Sequence, residues 1–364
     1  MTTSNGTVKT LVDSGGYTAW RQNKTVDLDA YCAFLEENAD WITHYAVLDH
    51  IAPDDPEEAA RISFNTLKEM RSRGLRPIPI WHARESVDWI DRMLDEGCDY
   101  IGFSTTSTRG FGIDHALELA WSKVVTPGGD PTVLVHAFGN TNPWTLFKYP
   151  WASADSSSWL RGPKWGRIML TGIPTGRLNH RHATRRPGEE VMFENITERL
   201  IHSRHSRDIT LVEGEDLDIV RAAVERLNID LDQLRENRKS RRTWLSHAYI
   251  AAKFFLELEV QVRTTPRPRF EPVGGHAALF GTTAPVITLP EFDLYMSIIV
   301  SPSVLPALIY AGNRRPLASY FYINSDKHAA RMREWYRDPL AMLETAPFAK
   351  YKTMMDEWIN HESQ

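Results

Sequence analysis

Two aspartates stand at the ends of short apolar segments, each followed by small residues. Asp13 closes the run Val8 to Val12 and opens Asp13-Ser14-Gly15-Gly16. Asp155 closes Trp151-Ala-Ser-Ala and opens a run of serines. A carboxylate in a small-residue turn behind an apolar run is how a (β/α) barrel presents its chemistry, at the carboxyl ends of its strands. One carboxylate can attack a sugar's anomeric carbon and later depart, while a second moves a proton. The pair therefore suits a displacement at a sugar carbon. Asp155-Ser-Ser-Ser is also good capping sequence, so a cap is the competing reading.

The other strand ends supply Tyr17, then Asp49-His50, Trp81-His82, Gly102-Phe103-Ser104 and His136-Ala-Phe-Gly139. His82 and His136 would equally serve as core histidines bonded to backbone. Trp144, Trp151, Trp159 and Trp165 flank Asp155 in sequence, and core packing is the common fate of such rings.

These residues need elements to position them. Strand patterns cover Val8–Asp13, Thr43–Asp49, Arg76–His82, Asp99–Ser104, Thr132–Phe138, Trp151–Asp155 and Arg167–Thr171. Helical patterns lie between most of them. Asp27 caps one running to about Asn38. Asp55-Pro56-Glu57-Glu58 starts another that ends at Gly74. Ser86 caps a third that stops at Gly97, and Asn142-Pro143 opens a short one before Tyr149. Such repeated units favour a parallel sheet with right-handed crossovers. Seven strands by residue 171 favour a barrel over an open sheet. No Gly-x-Gly-x-x-Gly follows the first strand, which argues against dinucleotide binding.

The second half differs. Pro174 to Asp208 is basic and weakly periodic, an excursion from the barrel. Asp216–Leu227 and Trp244–Val260 are amphipathic helices. Thr264-Thr-Pro-Arg-Pro-Arg is an extended linker. Glu291 to Tyr310 is apolar and broken by Ser301-Pro, so it should hold two elements. Met332 to Ile359 reads as helix, with Trp335, Tyr336, Met342, Met354 and Trp358 as core. The expected class is α/β: an irregular, TIM-like (β/α)8 barrel with residues 1–173 as catalytic core. A basic insertion follows at 174–210, and a mainly helical region at 211–364 completes and flanks the barrel.

The chain has 364 residues, 42% hydrophobic, enough for a large core. It holds no run of about eighteen apolar residues, so no membrane span is expected. Its amino terminus lacks the regions of a signal peptide. The only cysteines, Cys32 and Cys98, make no disulfide framework or Cys-x-x-Cys zinc pair. The expected compartment is cytoplasmic. Net charge is −5, yet Arg161 to Arg207 carries ten Lys or Arg against four Glu. Local charge steers a polyanion, so this segment is the expected nucleic-acid contact.

The Asp13-Ser14-Gly15-Gly16-Tyr17 start and the later Asp155, taken in order, resemble the tRNA-guanine transglycosylase superfamily. The resemblance covers roughly residues 8 to 160. It implies that Asp155 is the nucleophile and Asp13 the general acid/base. It also implies that Ser14, Gly15 and Gly16 admit the purine and that Tyr17 stacks on it. Asp49 would read the guanine N1–H and 2-amino edge, and Gly102 would offer backbone to the base carbonyl. His82 stands where the family has an amide side chain, and His136 and Gly139 begin the turn before Asp155. The family's zinc motif is absent. His180, His182, His202 and His205 are the only substitutes, and the arginines around them disfavour a cation. No metal and no cofactor are expected.

The pattern is most similar to the phage and bacterial branch that inserts 7-deazaguanines into DNA. That implies phosphate contacts from Arg161, Lys164, Arg167, Arg177, Arg181, Arg185 and Arg186, and a flipped target base. The implied partners are DNA and a free 7-deazaguanine such as 7-cyano-7-deazaguanine, with a homodimer as the assembly considered and no membrane. For a phage-encoded chain the compartment is the host cytoplasm. The alternatives are the same exchange on tRNA, or a non-catalytic nucleic-acid-binding relative. A metal hydrolase built on His44, His50, His82 and His136 ranks last, since no His-x-His opens the first strand.

Overall fold

Capping residues set the helix starts. Asp27 accepts the Ala30 N–H at 2.8 Å, and the helix Leu28–Glu37 follows directly from it. Asp55 accepts the Glu58 N–H at 3.1 Å, with Pro56 at the first position of Pro56–Ser72. Asn142 accepts the Trp144 N–H at 3.0 Å ahead of Pro143–Lys148. Ser86 accepts the Asp88 N–H at 3.2 Å, one residue before the capping position at Val87. In chain order the first six helices are α1 (Gly16–Arg21), α2 (Leu28–Glu37), α3 (Pro56–Ser72), α4 (Asp88–Asp95), α5 (Ile113–Lys123) and α6 (Pro143–Lys148).

The computed structural model describes residues 9–105, 113–160, 164, 167–174, 184–185, 191–197, 207–208, 212–236, 241–271, 282–297, 304–312, 318–321, 330–331, 333–334 and 337–360. Over these residues the chain is mixed α/β. Strands β1 (Thr10–Asp13), β2 (His44–Tyr45), β3 (Ile80–His82), β4 (Tyr100–Ser104), β5 (Leu134–Phe138) and β6 (Ser153–Ser156) alternate with the helices. Each lies within or beside the segment that the sequence predicts.

The seventh expected strand joins another sheet. β7 (Arg167–Pro174) pairs antiparallel with β9 (Val191–Thr197), in a four-stranded sheet with β8 (Thr184–Arg185) and β10 (Arg207–Asp208). Part of the basic excursion is thus strand. The parallel sheet takes its last members from β11 (Asp293–Ser297) and β12 (Ala318–Phe321). Its order is β2-β1-β12-β11-β6-β5-β4-β3, and every neighbouring pair is parallel. A parallel bridge joins Ala46, just past β2, to Ile78, just before β3. Two hydrogen bonds of 2.8 Å make it: Val47 N–H to the Ile78 carbonyl, and Ile78 N–H to the Tyr45 carbonyl.

The apolar run Glu291 to Tyr310 does hold two elements, β11 and the helix Val304–Tyr310. The expected helices appear at Gly214–Glu225 and Arg241–Thr264, and residues 339–343 and 349–360 are helical. Met342 is buried and Met354 partly so, whereas Trp335, Tyr336 and the Trp358 side chain lie outside the described residues. An aromatic cluster fills one side of the core. Trp121 meets Trp151 edge-on at 4.9 Å and stacks on Tyr149 at 5.7 Å, and Phe103 abuts both tryptophans. Trp151 and Trp159 are therefore packing residues, both 1% exposed, while Trp144 is 51% exposed. No helix among the described residues is long and apolar enough to cross a membrane.

Candidate active site

The carboxyl ends of β1, β3, β5 and β6, with the segment after β2, bring together Asp13, Asp49, His82, Gly139 and Asp155. Asp13 ends β1 and accepts the Gly15 N–H at 3.0 Å. Gly15 turns the chain with φ 77° into α1. Burial pushes the Asp13 carboxyl up to about 7, and the Asp155 and Asp49 charges add to it; the Gly15 N–H and His82 oppose. Carboxylates from three separate segments thus share one electrostatic environment.

Ser14 is fully buried and donates its hydroxyl to Asp49 Oδ1 at 2.8 Å while accepting the Gly16 N–H at 3.1 Å. Gly16 is fixed by close approach. A Cβ there would lie 2.7 Å from both the Asp49 carbonyl oxygen and Oδ1. Gly16, one of the two glycines expected to admit a purine, thus leaves the room that Asp49 fills.

Asp49 is 8% exposed, and both its oxygens have protein partners. Oδ1 takes the Ser14 bond and Oδ2 lies 3.1 Å from His82 Nε2. Burial pulls the His82 imidazole down, but the Asp49 hydrogen bond and charge, with Glu85 and Asp13 behind them, outweigh it and hold the ring above its ordinary range. Glu85, which sequence reasoning missed, accepts the His82 backbone N–H at 3.1 Å; burial pushes its carboxyl up to about 7. His82 Nδ1 has no hydrogen-bond partner among the described residues.

Asp155 is 2% exposed, and its Oδ1 accepts the Gly139 N–H at 2.8 Å. His136 Nε2 lies 3.5 Å from the same oxygen. His136 is itself fully buried, with Nδ1 bonded to Ser153 Oγ, which in turn meets the Tyr100 hydroxyl. His136 accordingly sits beside Asp155 inside the protein. Gly102 also departs from expectation. Its N–H bonds the Pro79 carbonyl at 2.7 Å, and a Cβ there would lie 2.3 Å from the Phe138 ring. The Phe138 ring, not a ligand, occupies the space that this glycine leaves.

Tyr17, expected to stack on a base, is 42% exposed on α1, its ring 5.7 Å from that of exposed Trp20. Of the basic contacts, Lys164 is exposed, while only the backbones of Arg167 and Arg185 are described, in β7 and β8. Arg161, Arg177, Arg181 and Arg186 lie outside the described residues, as do Trp165 and His180, His182, His202 and His205. Among the described residues no cluster of three or more His, Cys, Asp or Glu could hold a metal ion. A cavity of about 480 Å³ opens at the opposite, amino-terminal ends of β2, β4 and β5, lined by residues including His44, Arg71, Arg76 and Tyr100.

Comparison of the chain with family models, with curated proteins and with solved structures finds no match.

Proposed function

We propose that the chain is a base-exchange transglycosylase on a closed, TIM-like (β/α)8 barrel, replacing guanine in DNA by a 7-deazaguanine. One observation carries the reading: Asp13, Asp49 and Asp155 lie close together, and burial, with the other two charges added, lifts Asp13 to about 7. A proton donor and acceptor poised near neutrality beside a second buried carboxylate is what such an exchange needs. The Ala46–Ile78 bridge between the outermost strands supports closure of the barrel.

On this reading Asp155 attacks C1′ of the target nucleotide. A carboxylate oxygen–C1′ bond forms, the C1′–N9 bond breaks, and the electron pair leaves with guanine. Asp13 gives its proton to the departing purine. As a carboxylate it then takes one from the incoming 7-deazaguanine, whose N9 displaces Asp155. Two inversions give net retention. Asp49 keeps lone pairs beyond those used by Ser14 and His82, enough to accept a guanine-like N1–H and 2-amino group. A duplex base reaches these residues only by leaving the stack, and the basic segment from Arg161 to Arg207 would hold the phosphates.

The test is a covalent trap. The full chain is mixed with DNA or tRNA and labelled guanine or 7-cyano-7-deazaguanine, then run on a denaturing gel. The expected outcome is a protein–DNA adduct in wild type, none in Asp155→Ala, and label entering DNA. Label entering tRNA alone overturns the DNA reading, and exchange by Asp155→Ala at the wild-type rate overturns the nucleophile.

A further inference from the structure

The polar side chains behind Asp155 form a chain whose direction electrostatics can fix. Tyr100 on β4, Ser153 on β6 and His136 on β5 are joined through the Ser153 hydroxyl, which meets both the Tyr100 hydroxyl and His136 Nδ1. His136 and Ser153 are paired across the β5–β6 ladder, so register alone holds them together. Burial drives the Tyr100 phenol well above its usual range, so it remains a donor.

A serine hydroxyl has one proton to give. With Tyr100 donating to Ser153, that proton goes to His136 Nδ1, and the ring's own proton must then sit on Nε2. Nε2 lies 3.5 Å from Asp155 Oδ1 and has no hydrogen-bond partner among the described residues. The reverse direction would leave a bare nitrogen lone pair facing a buried carboxylate oxygen, which is repulsive. For a neutral ring only one direction is favourable.

We propose that His136 is a positioning residue for Asp155, held as the Nε2–H tautomer by the buried Tyr100–Ser153 chain. The proposal rests on Asp155 being the nucleophile. Its Oδ1 would be engaged by the Gly139 N–H and faced by the His136 N–H, leaving Oδ2 as the attacking oxygen. Dipoles fixed in advance around a reacting group need no rearrangement during the step.

The experiment has two readouts. The first is the nitrogen NMR signature of His136 in the intact wild-type chain, compared with Tyr100→Phe, Ser153→Ala and Ser153→Thr. A protonated Nε2 with a bare Nδ1 is expected in wild type and in Ser153→Thr, which keeps the hydroxyl. In the other two variants Asp155 alone favours the Nε2 proton, and a fraction of the Nδ1–H tautomer is expected beside it. The second is the single-turnover rate of adduct formation, expected to fall about ten- to a hundredfold in Tyr100→Phe and Ser153→Ala, the range for a hydrogen bond serving a charged group. Ser153→Thr should restore it. A wild-type ring protonated on Nδ1, or on both nitrogens, overturns the proposal. So do Tyr100→Phe and Ser153→Ala variants that react at the wild-type rate. Absence of any adduct in a wild-type chain with the expected tautomer instead strikes the reading of Asp155 as nucleophile.

Discussion

Asp13 holds its proton more tightly in the folded chain than a free aspartate does, at about 7 against 3.8. Between those values the folded state keeps a proton that the unfolded chain has released, so stability falls as pH rises through that window and levels off above it. Asp13→Asn removes this penalty. Its melting temperature should exceed that of wild type near pH 8 and match it near pH 4. The difference is at most a few kcal/mol, since each tenfold change in proton affinity is worth about 1.4 kcal/mol. Glu85 and Glu259, each pushed up to about 7 by burial, act with the same sign, so the variant reduces the fall without abolishing it. On the proposed mechanism adduct formation needs Asp13 protonated, and its rate should drop about tenfold for each further step of one in pH above that value in single-turnover assays. Gly16→Ala forces a methyl against the Asp49 backbone oxygen. Overpacking of this kind costs about 1–3 kcal/mol, and thermal melts should show the loss. A variant as stable as wild type would mean that Asp49 can move away.

At the scale of elements, caps and strand ends were readable from composition. Asp27, Asp55-Pro56 and Asn142-Pro143 each begin the helix they signal, because a short oxygen-bearing side chain satisfies an end amide wherever the fold places it. Asp27→Ala should lower stability by about 1 kcal/mol in chemical denaturation and leave the proposed base exchange untouched. Pairing was not readable. The apolar stretch from Arg167 says strand, but not that its partner is Val191–Thr197 in a basic, weakly periodic segment. Ala318–Phe321 is too short for alternation to register. The same limit applies at the site. Asp13 and Asp155 announce themselves by position in the chain, whereas Ser153 and Tyr100 matter only through the register that sets them beside His136. Glu85 acts through the fold of its turn onto the His82 amide, which no spacing rule encodes.

For the whole molecule, the segment that joins the two ends of the strand order is the most exacting test of architecture. If the eight parallel strands form a ring, the Val47 and Ile78 amides should exchange with solvent as slowly as those of β4 and β5. Fast exchange there would mean an open sheet. The ordering of that sheet has a temporal consequence. β1 and β6 carry the two principal carboxylates, and they are spaced apart by β11 and β12, which come from residues 293–297 and 318–321. A nascent chain bears both acids early in translation but lacks the staves that set them at their working separation. On the proposed function, competence would thus be withheld until β11 and β12 have emerged and inserted, and an unfinished product released from the ribosome would carry both carboxylates without the strands that space them.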